Sequence, residues 1–231
     1  MRLFYDPTIH PNSKSHILSE DESKHIIRVL RMKQGDQIGV LDGNGGSYTC
    51  EIVNDNPKKC GLQIIEEIRD PRQNQDIHIA IGPTKQMERL EWFIEKATEI
   101  GLTELTLISC TNSERSKIKI DRLMKKAVSA MKQSHRTFLP KINELTNIST
   151  FIKDHPNGLI AHCYDEDRHA MEDVFNAKNC PILIGPEGDF TKEEIEFALL
   201  NGYKTITLGK NRLRTETAAL YACMRAKLII E

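Results

Sequence analysis

The chain has 231 residues, of which 39% are hydrophobic and 28% are charged, and its formal net charge is −1. This composition is typical of a soluble globular protein with one large or two smaller domains, since a domain usually takes about 100–200 residues. No apolar run approaches the roughly 20 residues that span a bilayer, and residues 1–6 lack a signal-peptide pattern, which excludes a membrane protein and predicts a cytoplasmic one.

The first 70 residues are predicted to form a small β-barrel with one helix. The predicted strands cover residues 37–41, 47–53 and 61–68. A helix near residues 19–30 begins with a capping box made by Ser19 and Glu22. We expect the apolar side of this helix to dock on the barrel and its basic side to face solvent. The apolar residues are Ile26, Ile27, Val29 and Leu30.

A polar stretch at residues 69–76 separates this domain from a second one, because it contains a proline and no apolar residue. After it, short apolar runs alternate with helical stretches, which predicts a parallel α/β sheet. The predicted strands cover residues 77–81, 105–108, 159–162, 182–184 and 205–208. We therefore predict domains at residues 1–70 and 76–231.

The middle of the chain is basic although the whole chain is nearly neutral. Residues 110–141 contain nine lysines and arginines against two acids, a local charge of +7. Such a patch can follow RNA phosphates. The alternative is the solvated face of a helix whose inward residues include Leu123, Ala127 and Met131.

The cysteines and histidines do not indicate a metal site. The six cysteines include no Cys-x-x-Cys pair, so we expect buried, reduced thiols. His155, His162 and His169 recur every seven residues, but no carboxylate or thiol completes a tetrahedral set around them. We therefore predict that the protein binds no metal.

Two glycine-containing loops in the last quarter of the chain carry the predicted function. Residues 185–188 and 209–217 each follow a predicted strand. Ligands in open α/β sheets bind beyond the carboxyl ends of the strands, so both loops occupy ligand-binding positions. Neither is a phosphate loop, and their exposed backbone groups suit an adenine edge plus a polar substrate. Thr191 with Glu194, and Thr215, are the expected caps of the helices that follow.

These loops resemble the cofactor motifs of a known family. Residues 184–188 with 191–194, and 208–209 with 213–219, are similar to the two cofactor motifs of the RsmE-type ribosomal RNA methyltransferases. Two positions depart from the family pattern, because Asp189 and His135 stand where glycine is usual. The resemblance covers nearly the whole chain. Its further segments are residues 25–31, 35–36, 42–43, 85–91, 95–101, 112–116 and 133–136.

The resemblance implies the SPOUT class of fold, a parallel-sheet α/β domain knotted into a trefoil around S-adenosylmethionine, here preceded by a PUA-like RNA-binding domain. It also implies a homodimer paired through the cofactor domains. The implied cofactor-binding residues are Leu183, Ile184, Gly185, Pro186, Glu187, Gly188, Leu208, Gly209, Leu213, Thr215, Thr217 and Ala218.

The implied activity is methylation of N3 of one uridine in small-subunit (16S) ribosomal RNA. Because uracil N3 carries a proton at neutral pH, we expect Arg214 to stabilise the developing anion or fix a nearby phosphate. Glu216 is the candidate base, or it only stabilises the amino end of its helix. The candidate RNA-binding residues are Arg28, Arg31, Arg115, Lys125, Lys126 and Arg136. Two alternatives stay open, a catalytically inert RNA-binding protein of this fold and a SPOUT methyltransferase for another base.

Overall fold

The computed structural model describes residues 1–72, 75–164 and 168–231, which form two compact units. The first unit contains Met1–Arg72 and, in addition, Met131–Leu139. The rest of the described chain makes the second unit. We predicted domains at residues 1–70 and 76–231, and the return of Met131–Leu139 to the first unit was not anticipated.

The first unit is built on a five-stranded sheet with the strand order β1-β3-β4-β5-β2. Its strands are β1 (Leu3–Tyr5), β2 (Ser15–Ile17), β3 (Gln37–Leu41), β4 (Gly46–Asn54) and β5 (Gly61–Arg69). All pairs are antiparallel except β1 with β3. The core contains buried side chains from every strand except β2 and from the helical segment, among them Phe4, Ile26, Ile38, Tyr48 and Leu62. The three predicted strands are confirmed.

The predicted helix consists of a short α-helix followed by a π-helical turn. Helix α1 covers Glu20–Lys24, and the π-helical turn covers His25–Val29. The Ser19 hydroxyl accepts the Glu22 N–H at 3.3 Å, as a cap does. Ile26 is buried, but Val29 is 69% exposed. Its predicted docking on the barrel is wrong, because the wider π turn rotates Val29 away from the apolar side.

Residues 131–139 are held to the first unit by backbone bonds to the turn between β3 and β4. The Gly45 N–H donates to the Thr137 carbonyl at 3.0 Å, and the Leu139 N–H donates to the Gly43 carbonyl at 2.9 Å. The Thr137 hydroxyl also donates to the Asp70 carboxylate at 2.6 Å. These contacts join segments more than 60 residues apart in sequence, which is why local patterns did not reveal them.

The second unit contains a six-stranded, fully parallel sheet with the order β11-β9-β10-β6-β7-β8. Its strands are β6 (His78–Ile81), β7 (Glu104–Ser109), β8 (Lys141–Asn147), β9 (Leu159–Ala161), β10 (Ile182–Ile184) and β11 (Lys204–Ile206). The helices are α2 (Met87–Ile100), α3 (Ile120–Gln133), which runs on into the first unit, α4 (Ile148–Asp154), α5 (Met171–Val174), α6 (Lys192–Leu200) and α7 (Thr215–Ile230). No helix in the described ranges is long and apolar enough to cross a membrane.

Three local predictions for this unit need correction. Strand β8 was missed, because it is a half-exposed edge strand without a continuous apolar run. The strand predicted to end at Leu208 already ends at Ile206. Thr215 is the first residue of α7 rather than its cap, and Arg214 occupies the cap position without a side-chain hydrogen bond. The Thr191/Glu194 capping box of α6 is confirmed, with both reciprocal bonds present.

Candidate active site

A cavity of about 370 Å³ lies beyond the carboxyl ends of β9, β10 and β11. Since the sheet is parallel, the loops after these three strands meet at one edge. They are the β9 loop (residues 162–164 and 168), the β10 loop (residues 185–190) and the β11 loop (residues 207–214). The lining residues are Ala161, His162, Cys163, Arg168, Ile184, Gly185, Pro186, Glu187, Asp189, Ile206, Leu208, Gly209, Asn211, Arg212, Leu213, Arg214, Thr215 and Ala218.

At two glycine positions, Gly209 and Gly185, the cavity wall consists of backbone alone. Gly209 has φ +108°, and apart from Gly209 and its two chain neighbours no atom of the described residues lies within 4 Å of the place where a Cβ would stand. A ligand can therefore approach its backbone closely. At Gly185, a Cβ would stand only 3.2 Å from an Asp189 carboxylate oxygen and 3.3 Å from the Asp189 backbone. The two positions thus favour glycine for different reasons, a positive φ at Gly209 and crowding against Asp189 at Gly185.

The β10 loop is braced from the segment that follows β6. Glu187 accepts the Lys85 N–H through Oε1 at 2.9 Å. On the opposite side of that segment, the Arg115 guanidinium donates to the Thr84 and Lys85 carbonyls. Gly82 packs directly against Pro186, and a Cβ at Gly82 would stand 2.6 Å from the Pro186 nitrogen. The conformation of the β10 loop is therefore set by residues a hundred positions earlier in the chain.

A second brace comes from the segment that follows β7. The Asn112 side-chain amide donates to the carbonyls of Gly188 and Asp189, both at 3.1 Å. Glu194, the acid of the α6 capping box, also accepts the N–H and the hydroxyl of Thr111. Lys85 and Asn112, which lie in segments that resemble the family but had no predicted role, therefore support the β10 loop.

Asp189 connects the β10 loop to the β9 loop. Its Oδ2 accepts the Cys163 N–H, and its Oδ1 accepts the Phe190 N–H, both at 2.8 Å. Cys163 is exposed, which corrects the expectation that all six cysteines are buried. Burial and the neighbouring Asp189 carboxylate raise the pKa of the Cys163 thiol. The raised pKa favours the protonated thiol and so lowers its reactivity as a nucleophile.

The two candidate catalytic residues occupy different surroundings. Arg214 is exposed and lines the cavity at the start of α7. Glu216 is 6% exposed and is not among the described residues that line the cavity. Its Oε1 lies 3.8 Å from the Arg89 Nε, and its Oε2 accepts no hydrogen bond from the described part of the chain.

Most of the candidate cofactor-binding residues line one cavity, and three do not. Leu183 is buried within β10, and Gly188 and Thr217 are exposed outside the lining. The lining residues of the β9 strand and loop were not predicted, because nothing local shows that β9 lies between β10 and β11. They are Ala161, His162, Cys163 and Arg168. Asn211 and Arg212 lie in the predicted ligand-binding loop at residues 209–217 but were not singled out, and Asp189 lines the cavity although the sequence indicated no role for it.

The candidate RNA-binding residues are mostly on the surface. Arg28 and Arg31 are exposed in the first unit, and Lys125 and Lys126 are exposed on α3. Arg136 is partly exposed. The Arg115 guanidinium donates hydrogen bonds to the backbone carbonyls of Thr84 and Lys85. No group of three metal-ligating side chains occurs in residues 1–72, 75–164 and 168–231.

Comparison with known proteins identifies the family. A model described as "RNA methyltransferase domain" matches residues 71–227, and one described as "RNA methyltransferase PUA domain" matches residues 18–65. The ribosomal RNA small subunit methyltransferase E of Bacillus subtilis is 31% identical over 224 residues, which cover 89% of this chain and 86% of that protein. The chain belongs to the ribosomal RNA small subunit methyltransferase E family. The Rickettsia conorii member is 26% identical over 99% of this chain and 95% of its own length.

Solved structures agree with membership of the methyltransferase E family. A probable rRNA-methyltransferase from Porphyromonas gingivalis is 41% identical with a TM-score of 0.89, over 99% of this chain and 98% of that one. The methyltransferase E of Neisseria gonorrhoeae, bound to S-adenosylmethionine, is 24% identical with a TM-score of 0.84, over 99% and 97%. The predicted family, the α/β methyltransferase domain with a PUA domain, and the enzyme class of RNA methyltransferase are confirmed.

Proposed function

We propose that this protein transfers the methyl group of S-adenosylmethionine to N3 of a uridine in 16S ribosomal RNA. The observation that carries the proposal is the cavity beyond β9, β10 and β11, which combines an open glycine, Gly209, with an exposed arginine, Arg214. The curated relatives of the family are named as methyltransferases of small-subunit ribosomal RNA. The proposed location is the cytoplasm, where such a substrate is found.

The residues of the cavity fit S-adenosylmethionine. Apolar side chains line part of it and suit an adenosine, while Gly209 allows close approach to the backbone. The apolar lining residues are Ile184, Ile206, Leu208, Leu213 and Ala218. When bound, the cofactor supplies an electrophilic methyl group on a sulfonium. The protein's part is to bind and orient it and to exclude water.

Arg214 is the residue that we place beside the uracil. The N3 proton leaves to solvent, which spreads negative charge onto the two uracil oxygens, and a guanidinium stabilises that charge. Arg214 fits because it lines the cavity and is exposed to an incoming nucleotide. Glu216 fits less well as the base, since its carboxylate is buried beside Arg89. We therefore assign Glu216 to the structure of the α2–α7 contact.

Exposed cations supply the proposed RNA contacts. Lys125 and Lys126 lie on the outer side of α3, while Leu123, Ala127 and Met131 on the same helix are buried. This arrangement leaves the two lysines free to contact phosphates. Arg28 and Arg31 are exposed in the unit that contains the match to the PUA domain. Arg115 is removed from this proposal, because it already bonds to the backbone.

A homodimer is part of the proposal. Helices α2 and α7 pack on each other and still expose large apolar side chains. These are Trp92, Tyr221, Met224 and Leu228. Exposed apolar residues on neighbouring helices are typical of a surface that a second copy covers. Light scattering at micromolar concentration should give twice the monomer mass of 26.4 kDa, and a monomer would contradict this part.

The deciding experiment combines RNA mass spectrometry with reconstitution. Ribosomal RNA from a strain that lacks the protein should lose one 3-methyluridine, and the purified protein with S-adenosylmethionine should restore it. Methylation of another base would favour the alternative SPOUT activity, and RNA binding without methylation would favour an inert protein. Calorimetry with the cofactor, in the presence and absence of EDTA, checks that binding needs no metal.

A further inference from the structure

Asp189 occupies an unusual position in the cavity wall. It has φ +62°, a left-handed conformation that non-glycine residues adopt only occasionally. Its own N–H donates to the Pro186 carbonyl at 2.9 Å, and its carbonyl accepts the Asn112 amide. A residue persists in such a conformation when its surroundings determine it from several sides. The backbone of Asp189 is therefore fixed before any ligand binds.

Both oxygens of the Asp189 carboxylate accept a hydrogen bond, and one of these bonds joins two distant chain segments. One oxygen bonds to Phe190 within the β10 loop, and the other bonds to Cys163 in the β9 loop, 26 residues earlier. Hydrogen bonds to a charged acceptor are among the stronger ones in proteins. Asp189 and Cys163 both line the cavity, so this bond holds one wall of the cavity against another.

We propose that Asp189 is a positioning residue for cofactor binding, whose carboxylate holds the β9 loop against the β10 loop and so preforms the cavity. The inference rests on the proposed function, in which this cavity binds S-adenosylmethionine. A preformed site binds more tightly because fewer groups must be ordered on binding. If only a fraction of the protein has the conformation that binds the cofactor, the apparent affinity for the cofactor is the intrinsic affinity multiplied by that fraction.

The test replaces Asp189 by glycine and by alanine. Asp189→Gly removes the carboxylate and adopts φ +62° without strain, while Asp189→Ala removes the carboxylate and adds strain. Asp189→Gly should raise the Kd for S-adenosylmethionine about tenfold and leave the single-turnover rate at saturating cofactor within about threefold of the wild type. Asp189→Asn, which keeps one acceptor oxygen, should lie between Asp189→Gly and the wild type.

The Cys163 thiol provides a second measurement that does not depend on catalysis. It is the exposed one of the six free cysteines, so iodoacetamide should modify it first. Asp189→Gly should increase its alkylation rate several-fold, because the loop is released and the Asp189 carboxylate no longer raises the pKa of the thiol. In the wild type, S-adenosylmethionine should slow the reaction.

Asn157→Ala is the matched control. Asn157 also has a left-handed conformation, with φ +64°, and precedes β9 at the end of the strand opposite to the cavity. It should lower the Tm without changing the cofactor Kd or the alkylation rate. An Asp189→Gly variant with lower Tm but unchanged cofactor Kd and alkylation rate would overturn the inference. If the wild type itself binds no S-adenosylmethionine, the proposed function fails instead, and the alkylation rates still decide whether Asp189 holds the two loops together.

Discussion

The β10 and β11 loops line the same cavity but are held in different ways. The β10 loop is fixed by bonds to distant segments, which its own Glu187 and Asp189 carboxylates and the Asn112 side chain make. The β11 loop is held near its start, where the Thr207 N–H donates to the His169 carbonyl at 3.0 Å and the Thr207 hydroxyl accepts the Gly209 N–H at 3.2 Å. Its Arg214 side chain has no hydrogen bond or ion pair to residues 1–72, 75–164 or 168–231. One wall of the cavity is therefore fixed by distant segments, while the other carries an arginine whose side chain makes no polar contact with the described residues.

Removal of the Arg214 guanidinium should have the largest effect on the methylation rate. Arg214→Ala should lower the single-turnover methylation rate by about 10²-fold or more, because the developing uracil anion loses its stabilising charge. Folding and cofactor affinity should be unchanged, since the Arg214 side chain makes no hydrogen bond to the described residues. Raising the pH should restore part of the rate, because more uracil ionises without assistance. Rapid-quench measurements with saturating cofactor give this rate.

Lys210→Ala is the control for this prediction, because Lys210 is an exposed cation of the same loop outside the cavity lining. It should keep the single-turnover rate within about threefold, since a screened surface charge contributes little. A normal rate in Arg214→Ala would remove the guanidinium from the mechanism and return Glu216 and Arg136 as candidates.

Obstruction of the open glycine should have the next largest effect. Gly209→Val places a branched side chain where the cavity is empty and strains a residue with φ +108°. We expect the cofactor Kd to rise at least about tenfold by calorimetry, since each factor of ten corresponds to only about 1.4 kcal/mol. Gly35→Val carries the same strain, with φ +91° and no neighbour within 4 Å, but lies in the first unit. Equal cofactor affinity in the two variants would show that Gly209 does not contact the cofactor.

The difference between the two loops also marks what the sequence could predict. The apolar runs that became β6, β7, β9, β10 and β11 were recognisable, because a buried parallel strand is continuously apolar. The glycines of both loops followed from the ends of those strands. The contribution of His162 and Cys163 could not be predicted, because it depends on the placement of β9 between β10 and β11.

The hydrogen bonds that support the β10 loop could not be predicted from the sequence for a related reason. Asn112 and Glu187 support the β10 loop across 76 and 102 residues of sequence, and such bonds have no local signature. Asp189 was recognised as a departure from the family pattern, yet its two acceptor bonds need the positions of Cys163 and Phe190. Long-range polar contacts are specified by the fold rather than by neighbouring residues.

A substitution in a segment that supports the β10 loop should alter the cavity. Gly82→Ala puts a Cβ at 2.6 Å from the Pro186 nitrogen, so the β10 loop must move. Overpacking of this kind costs about 1–3 kcal/mol, which urea denaturation can measure. The cofactor Kd should rise in parallel, because Pro186 lines the cavity. Gly61→Ala, whose nearest neighbour is a side-chain atom at 3.2 Å in the first unit, should leave the Kd unchanged.

A Gly82→Ala protein with normal stability and normal cofactor affinity would show that the β10 loop adapts as easily as the β11 loop. The inferred difference between a fixed β10 loop and a less constrained β11 loop would then be wrong, whatever the rate of the Arg214→Ala variant.

The smallest effect is expected from cations outside the cavity. Lys125→Ala with Lys126→Ala should weaken RNA binding uniformly and reduce the slope of log K against log salt by about 1 for each phosphate that is no longer neutralised. Cofactor affinity should be unaffected, because neither lysine lines the cavity.

The double variant Lys153→Ala with Lys178→Ala removes the same charge from other exposed positions of the second unit and serves as the control. If both double variants show the same salt slope, net charge alone accounts for the weaker binding, and the outer side of α3 is an ordinary solvated surface. A lower slope for the α3 variant alone would show that RNA contacts this helix. RNA binding by α3 would then be separate from catalysis, for which we propose Arg214 of the β11 loop.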